Sequence, residues 1–547
     1  MSRFVSILFS AILLFQSAAS QVPSGAPDWS QDLDVLAQEL PERHPNPFGQ
    51  ISRDEWDAAV ADVRRGLPEM DANQWMVAIQ RLVARLGDAH TSVVPVADSA
   101  LSVRFYPVEY YLFDDGLFVQ RAAAEYSEIV GGRVVEIGRV SVEDALAAAG
   151  SLVSHENEWW VRAWAPHYLT MVEALDGLGI ADDAERLTVV IDKNGVLDTV
   201  ILIPQERIEP SGHNPLATRE MSGWVDMRQS SEAPRWLRQL DRIYWYDYDA
   251  ETKTLYVSYR AVASIPHGPS NRTFWDEVFS FADTSDVERF VIDIRENTGG
   301  NGFLNRYLIQ QILRRPALDR SDVLHVIIGR RTFSAGQQLA NQLEWWTNAT
   351  FVGEPTGQRP SQYGDHEPLV LPTSGITVNI SSAFHQAPNP FDQRHFLAPD
   401  IYTPLRSVDY SEGRDPAMAA VVASRPTVTL ADRIDELVAD GDIVGAERML
   451  REVSSATENR FSNFESDVNA LGYRLLSDDR LDHAITVFEI NTRVYLHSAN
   501  TYDSLGEALA LAGRSEEAIA AYRRALEIDP EYRSSVEALQ RLERGHN

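Results

Sequence analysis

Two separate stretches of the chain carry residues whose order suits acyl chemistry. The run Val291-Ile292-Asp293-Ile294-Arg295-Glu296-Asn297-Thr298-Gly299-Gly300 reads as a buried strand entering a turn with paired glycines, where bare backbone amides can approach a ligand closely. A second apolar strand, Val323 to Ile328, leads into Arg330-Arg331-Thr332-Phe333-Ser334-Ala335-Gly336 at the opening of a helix. A serine at such a corner is exposed, and an oxyanion formed beside it is stabilised by amides at the helix start. Alone, each segment is a weak signal, since strand-turn-glycine runs are common and a plain helix-capping serine has the same appearance. Far upstream, His90 stands in Leu86-Gly87-Asp88-Ala89-His90-Thr91, in the turn just past a helix end. Its ordinary pKa of about 6.5 suits a general base, although a histidine there is, by itself, more readily read as structural.

These residues need elements to hold them. From Trp29 to about Val96 apolar residues recur three and four apart, with helix starts at Ser52/Glu55 and Asp71/Gln74, the capping-box spacing. From about Ser102 to Pro204 the pattern turns to strands: Val108 to Phe113, Leu117 to Gln120, Arg133 to Ile137, and Leu187 to Ile191 and Thr199 to Ile203 around Asn194-Gly195. From about Asp241 to Pro404 buried strands alternate with helices, which argues for an α/β layer with partly parallel strands and a site at the strand ends. A polar stretch from Ser407 to Thr427 precedes a helical tail.

The tail repeats itself. Leu471-Gly472, Ala484 and Phe488 recur as Leu505-Gly506, Ala518 and Tyr522, each offset by 34 residues, and a looser copy lies near Gly441 to Leu450 around Ala446. That period and those small packing residues resemble tetratricopeptide repeats, which present a concave surface to peptides or partner proteins.

Composition bounds the rest. A chain of 547 residues exceeds one hydrophobic core and divides into domains. Acidic residues outnumber basic ones 80 to 49, for a formal charge of -31, which disfavours nucleic acid as a partner. Residues 1–20 show Arg3, an apolar run from Phe4 to Phe15 and small residues before Gln21, the parts of a cleavable secretory signal. That run is too short to span a bilayer, and the chain has no cysteine. A periplasmic or secreted protein without a membrane span is the expectation. Nothing calls for a metal or other cofactor, since the His-Glu-x-x-His run is absent and cysteine ligands do not exist here.

Taken together, Leu86 to Thr91, Ile292 to Arg295 with Asn297 and the two glycines, Phe333 to Gly336, Val352-Gly353-Glu354-Pro355-Thr356-Gly357 and Ala398-Pro399-Asp400-Ile401 resemble, in order, the serine peptidase family containing the C-terminal processing (tail-specific) peptidases and the tricorn core. The resemblance spans roughly Asp32 to Leu405. After the signal peptide at 1–20, it implies a multidomain α/β fold: an N-terminal helical subdomain at 21–97, a divergent PDZ-like module at 98–205 and a peptidase core of crotonase-like or ClpP-like layer type at 206–405. A linker at 406–427 and a tetratricopeptide-repeat domain at 428–547 follow. The base in this family is either a lysine after the serine or a histidine from the helical subdomain. The chain's two lysines, Lys193 and Lys253, both precede Ser334, and the place resembling the dyad lysine holds Arg359, which stays protonated. The resemblance therefore implies Ser334 as nucleophile and His90 as base, with His366, His385 and His395 in reserve. It places an acid just before the Pro-Asp pair, for which Asp392 is the candidate, although tricorn spacing falls on Gln393 and Asp392 could equally pair with Arg394. The oxyanion donors it implies are the amides of Ala335 and of Gly299 or Gly300.

The activity implied is hydrolysis of peptide bonds in unfolded or C-terminal protein segments, with a peptide or protein substrate and a protein partner on the repeats. The alternative is a catalytically inactive member of the fold that binds peptides or apolar ligands.

Overall fold

A strand that is apolar on both faces must be covered from both sides. The run Phe290-Val291-Ile292 is used this way in the computed structural model, which describes residues 28–94, 104–181, 183–205, 223–229, 233–265, 268–424 and 430–545. It belongs to a six-stranded sheet ordered Ile401–Tyr402, Thr350–Gly353, Leu324–Ile328, Arg289–Asp293, Thr254–Tyr259, Tyr244–Asp249. All neighbours are parallel except the antiparallel Tyr244–Asp249 edge. Alternation assigns the faces. Val257, Phe290, Ile292, Leu324 and Val326 pack with helices Asn271–Thr284, Asn305–Leu313 and Ala335–Trp346. Tyr256, Val291, Ile327 and Val352 pack on the other side with Ala417, Met418 and Val421.

Those last residues correct the linker expected at 406–427. Helix Pro416–Ala423 is capped by Asp415, and Arg295 fixes Asp415 through bonds of 3.0 and 2.9 Å. Its apolar side completes the sheet's second cover, so only residues 425–427, outside the described residues, are left for a linker. The signal sequence expected at 1–20 also lies outside the described residues, and no helix among those described is long and apolar enough to cross a membrane.

The N-terminal helices Ser30–Arg43, Arg53–Gly66 and Ala72–Ala84 start as their sequence requires, with reciprocal capping boxes at Ser52/Glu55 and Asp71/Gln74. They do not form a core alone. Leu33, Leu36, Trp56, Trp75 and Leu82 pack with Leu369, Leu371, Val378 and Ile380, which belong to a three-stranded sheet ordered Ser92–Val94, Thr377–His385, Gln362–Val370. Buried Asp32 reinforces the join by accepting the amides of Thr373 at 2.6 Å and Ser374 at 2.8 Å. The first helices are thus packed on a hairpin that follows the serine corner in sequence, and this sharing carries His90 towards Ser334.

Residues 108 to 226 build an antiparallel sheet containing Val108–Phe113, Gly116–Ala123, Arg133–Ile137, Leu187–Lys193 and Val196–Leu202. The last pair turns at Asn194 and Gly195, both at positive φ of 58° and 80°, as a two-residue hairpin demands. Helices Val142–Gly150 and Glu158–Tyr168 close over its core.

The tail is helical from Leu430–Ala439 to Arg533–Gly545. Its repeat has a direct packing meaning. A Cβ on Gly472 would stand 2.4 Å from the Phe488 ring, and one on Gly506 would stand 2.8 Å from Tyr522. Each recurring glycine therefore makes room for the recurring aromatic of the following helix. Ala446, Ala484 and Ala518 are fully buried at the corresponding packing positions.

Candidate active site

Ser334 sits where the parallel strand Leu324–Ile328 turns into helix Ala335–Trp346, with φ 53° and ψ -124°. That conformation is sparsely populated for a residue with a side chain and costs about 1–3 kcal/mol. The surroundings hold it there. The Ser334 amide donates to Gln358 Oε1 at 2.7 Å, and its carbonyl accepts from Gln338 N at 2.9 Å and Gln362 Nε2 at 3.0 Å. Below the corner, the Phe333 amide donates to the Asn297 carbonyl at 2.9 Å. Gly299 presses against the serine so closely that a Cβ would lie 2.5 Å from Ser334 Cβ. Gly336 is equally confined by the Asn297 carbonyl, at 2.5 Å. Gly299 and Gly336 are thus explained by one close approach of the two segments, whereas Gly300 is confined by the Val262 carbonyl, 2.4 Å from where its Cβ would stand.

His90 Nε2 lies 3.0 Å from Ser334 Oγ, across 244 positions of sequence. Gly87, at φ 68°, ends the preceding helix, and Asp88 then organises the turn. Its carboxylate accepts the His90 amide at 3.0 Å, Thr91 Oγ1 at 2.6 Å and Ser381 Oγ at 2.6 Å, with His44 Nε2 at 3.1 Å. Burial opposes that charge, but the bonds from His44, Ser381 and Thr91 outweigh it and hold the carboxyl below its ordinary range. The His90 ring stacks on Phe333 at 4.4 Å, and Phe333 stacks on Trp160 at 4.1 Å. Burial pushes the imidazole down to about 4, against the pull of Asp88 and aided by His366 and His385. The ring is therefore neutral near pH 7.

Behind the ring the arrangement departs from the sequence expectation. His90 Nδ1 lies 3.0 Å from Gln358 Nε2, which also lies 3.2 Å from Glu156 Oε1. Asp392 is not there. Its carboxylate is held by Arg394 at 2.7 Å, and the same guanidinium reaches Glu344 at 2.7 Å. The acid proposed for the histidine is corrected to a structural ion pair, because an arginine two residues away captures it first. His385 is paired with Asp365 at 3.1 Å. Lys193 donates to the carbonyls of Glu128 and Val130, and Lys253 pairs with Asp286 and Glu288. Arg359 contributes its backbone, donating to Glu156 Oε2 at 2.9 Å.

Of the expected oxyanion donors, the Gly299 amide is spent on Asn297 Oδ1 at 3.0 Å. The amides of Gly300 and Ala335 find no acceptor among the described residues. Gly300 is turned by its neighbours, since the Asn301 amide donates to the Val262 carbonyl at 2.7 Å and the Val262 amide to the Gly299 carbonyl at 2.8 Å.

Gln358, Gln362, Phe333 and Glu156 were not among the expected site residues. Phe333 lies within a recognised motif and the two glutamines follow another, but a glutamine amide and a phenyl ring carry no charge or spacing signal. Glu156 comes from the loop before helix Glu158–Tyr168, in a different part of the sequence.

With this geometry in view, comparisons with known proteins place the fold. The structure is similar to mature CPAF, with a TM-score of 0.53 at 14% identity, covering 73% of this chain and 98% of that one. CPAF complexed with lactacystin gives 0.51 at 14% identity over 75% and 98% of the two chains. The photosystem II D1 C-terminal processing protease is matched over 71% of this chain and 98% of that one, at 15% identity and a TM-score of 0.34. The tetratricopeptide repeat family model matches residues 499–532. A comparison with curated proteins gives no significant match. The chain has a multidomain α/β fold like that of CPAF, followed by a helical tail that carries a tetratricopeptide repeat.

Proposed function

We propose that this protein is an exported serine peptidase in which Ser334 is the nucleophile and His90 its base. The observation that carries the reading is the 3.0 Å approach of His90 Nε2 to Ser334 Oγ at a strained corner. Ser334 attacks a peptide carbonyl while His90 takes its proton and delivers it to the leaving amine, and water then releases the acyl group. The amides of Ala335 and Gly300 receive the oxyanion; loss of one such donor in other hydrolases costs about a hundredfold to a thousandfold in turnover. The divergent PDZ-like module expected at 98–205 is assigned to the antiparallel sheet from Val108–Phe113 to Val196–Leu202, and the first helices are read as the subdomain that delivers the base. The repeat tail presents protein segments. Unfolded or C-terminal segments are the proposed substrates.

Purified protein and its Ser334→Ala variant, incubated with a fluorophosphonate probe and with casein, test this directly. Covalent labelling and casein cleavage that vanish in the variant are expected. Wild type that labels no better than the variant leaves the fold as a ligand-binding one.

A further inference from the structure

The contacts of Gln358 have a fixed polarity. A peptide N–H only donates, so the Gln358 atom 2.7 Å from the Ser334 amide is the oxygen. The other terminal atom is then the NH2 group, and its hydrogens point at His90 Nδ1 and at Glu156 Oε1, 3.0 and 3.2 Å away. A nitrogen that faces a donor must accept. Neutral His90 consequently carries its proton on Nε2, where it donates to Ser334 Oγ and cannot receive the hydroxyl proton. General-base catalysis needs the opposite tautomer, with an acceptor on Nδ1–H.

We propose that Gln358, backed by Glu156, is the positioning residue that decides which nitrogen of His90 holds the proton. In the resting state it selects the Nε2–H form, so that the peptidase is braked until this amide turns over. The proposal rests on the Ser-His reading above. Turning the amide by 180° brings its oxygen to Nδ1–H and frees Nε2 to act as base. The same turn sets NH2 against the Ser334 amide and oxygen against the Glu156 carboxyl, so the brake is held at two points. Glu156 is the adjustable one. Ionised, it accepts from NH2 and favours the brake; protonated, its O–H donates to the turned oxygen. Burial, reinforced by Asp88, raises its carboxyl to about 8, against the Arg359 amide, the Gln358 side chain and the Arg359 charge. The remaining titratable groups facing the pair are His90 itself, with Asp88 and His44 on one side and His366, His385 and Asp365 on the other. Raising pH through the region near 8 therefore tightens the brake.

The test combines 15N NMR of histidine-labelled protein, with His90 assigned by difference from His90→Asn, and fluorophosphonate labelling rates. Wild type is expected to show His90 as the Nε2–H tautomer and to label more slowly as pH rises past about 8, a slowing absent from Glu156→Gln. Gln358→Glu offers an acceptor to both Nδ1–H and the Ser334 amide. It is expected to move the proton to Nδ1 and raise the labelling rate at least about tenfold. Wild-type His90 found as Nδ1–H, or a tautomer unchanged in Gln358→Glu, overturns the proposal. A changed tautomer without faster labelling supports the role of Gln358 and counts against the peptidase reading instead. Should Gln358→Glu not fold, Gln358→Met, which has no donor, is expected to give mixed tautomers. Retention of the pure wild-type form there overturns the proposal as well.

Discussion

Replacing Gly299 by alanine adds one methyl group where the backbone presses directly on the nucleophile. The added Cβ would lie 2.5 Å from Ser334 Cβ and 3.1 Å from the Ala335 nitrogen, short of ordinary contact by about 0.9 Å at the first of these. The backbone adds its own penalty, because Gly299 has φ 115°. Overpacking of this kind costs about 1–3 kcal/mol, and a positive φ imposed on alanine adds about 1–2 kcal/mol. The cheapest relief is to push Ser334 away by about the missing distance, and a 1 Å misplacement of a reacting group costs about a hundredfold in rate. Gly299→Ala is therefore expected to melt lower and to lose about two orders of magnitude in fluorophosphonate labelling. Gly195→Ala separates the two causes, since Gly195 has φ 80° and nothing within 4 Å of an added Cβ. It should lose only the strain-related stability and label as wild type. Wild-type labelling by Gly299→Ala would refute the inference that this glycine sets the nucleophile's position.

Further outcomes follow from the same structure. Phe333→Ala removes the ring between His90 and Trp160, and is expected to cost about 3–5 kcal/mol of stability and to slow labelling at least about tenfold, measured by thermal melting and probe kinetics. Asp88→Asn breaks the carboxylate's match to its donors and should cost roughly 3 kcal/mol at neutral pH. Because the folded carboxyl titrates below its unfolded range, that stabilisation is present above about pH 4 and is lost as pH falls through the folded value. Wild type and Asp88→Asn should accordingly converge in stability under acid, as followed by denaturant titration. Gly472→Ala, with its Cβ 2.4 Å from the Phe488 ring, should destabilise the tail by about 1–3 kcal/mol while Ser334 labelling stays at the wild-type rate.

The parts of this molecule written in short-range patterns were legible in the sequence. The 34-residue offset marked the repeat packing because a glycine and an aromatic recur where two helices touch. Ser334 and the Gly299-Gly300 pair were recognisable because two short motifs, each weak alone, occur in the order of the family they resemble. The partner of His90 Nδ1 was not legible. The family resemblance offered Asp392, yet Arg394 stands two residues on and takes that carboxylate, whereas Gln358 is uncharged and Glu156 arrives from the loop before helix Glu158–Tyr168. The helix Pro416–Ala423 was missed for a related reason. Asp415-Pro416 and Arg425-Pro426 read as turn signals, and in a run that is apolar throughout the buried face of Ala417, Met418 and Val421 is not set off by polar neighbours.

Catalysis of the proposed kind requires the imidazole and the hydroxyl to act together, and the rate at which a fluorophosphonate labels Ser334 in wild type and in His90→Gln measures that coupling. Labelling confined to Ser334 by peptide mapping, and slowed at least about a hundredfold in the variant, is the expected result. Equal rates in the two proteins, with both folded, would contradict it.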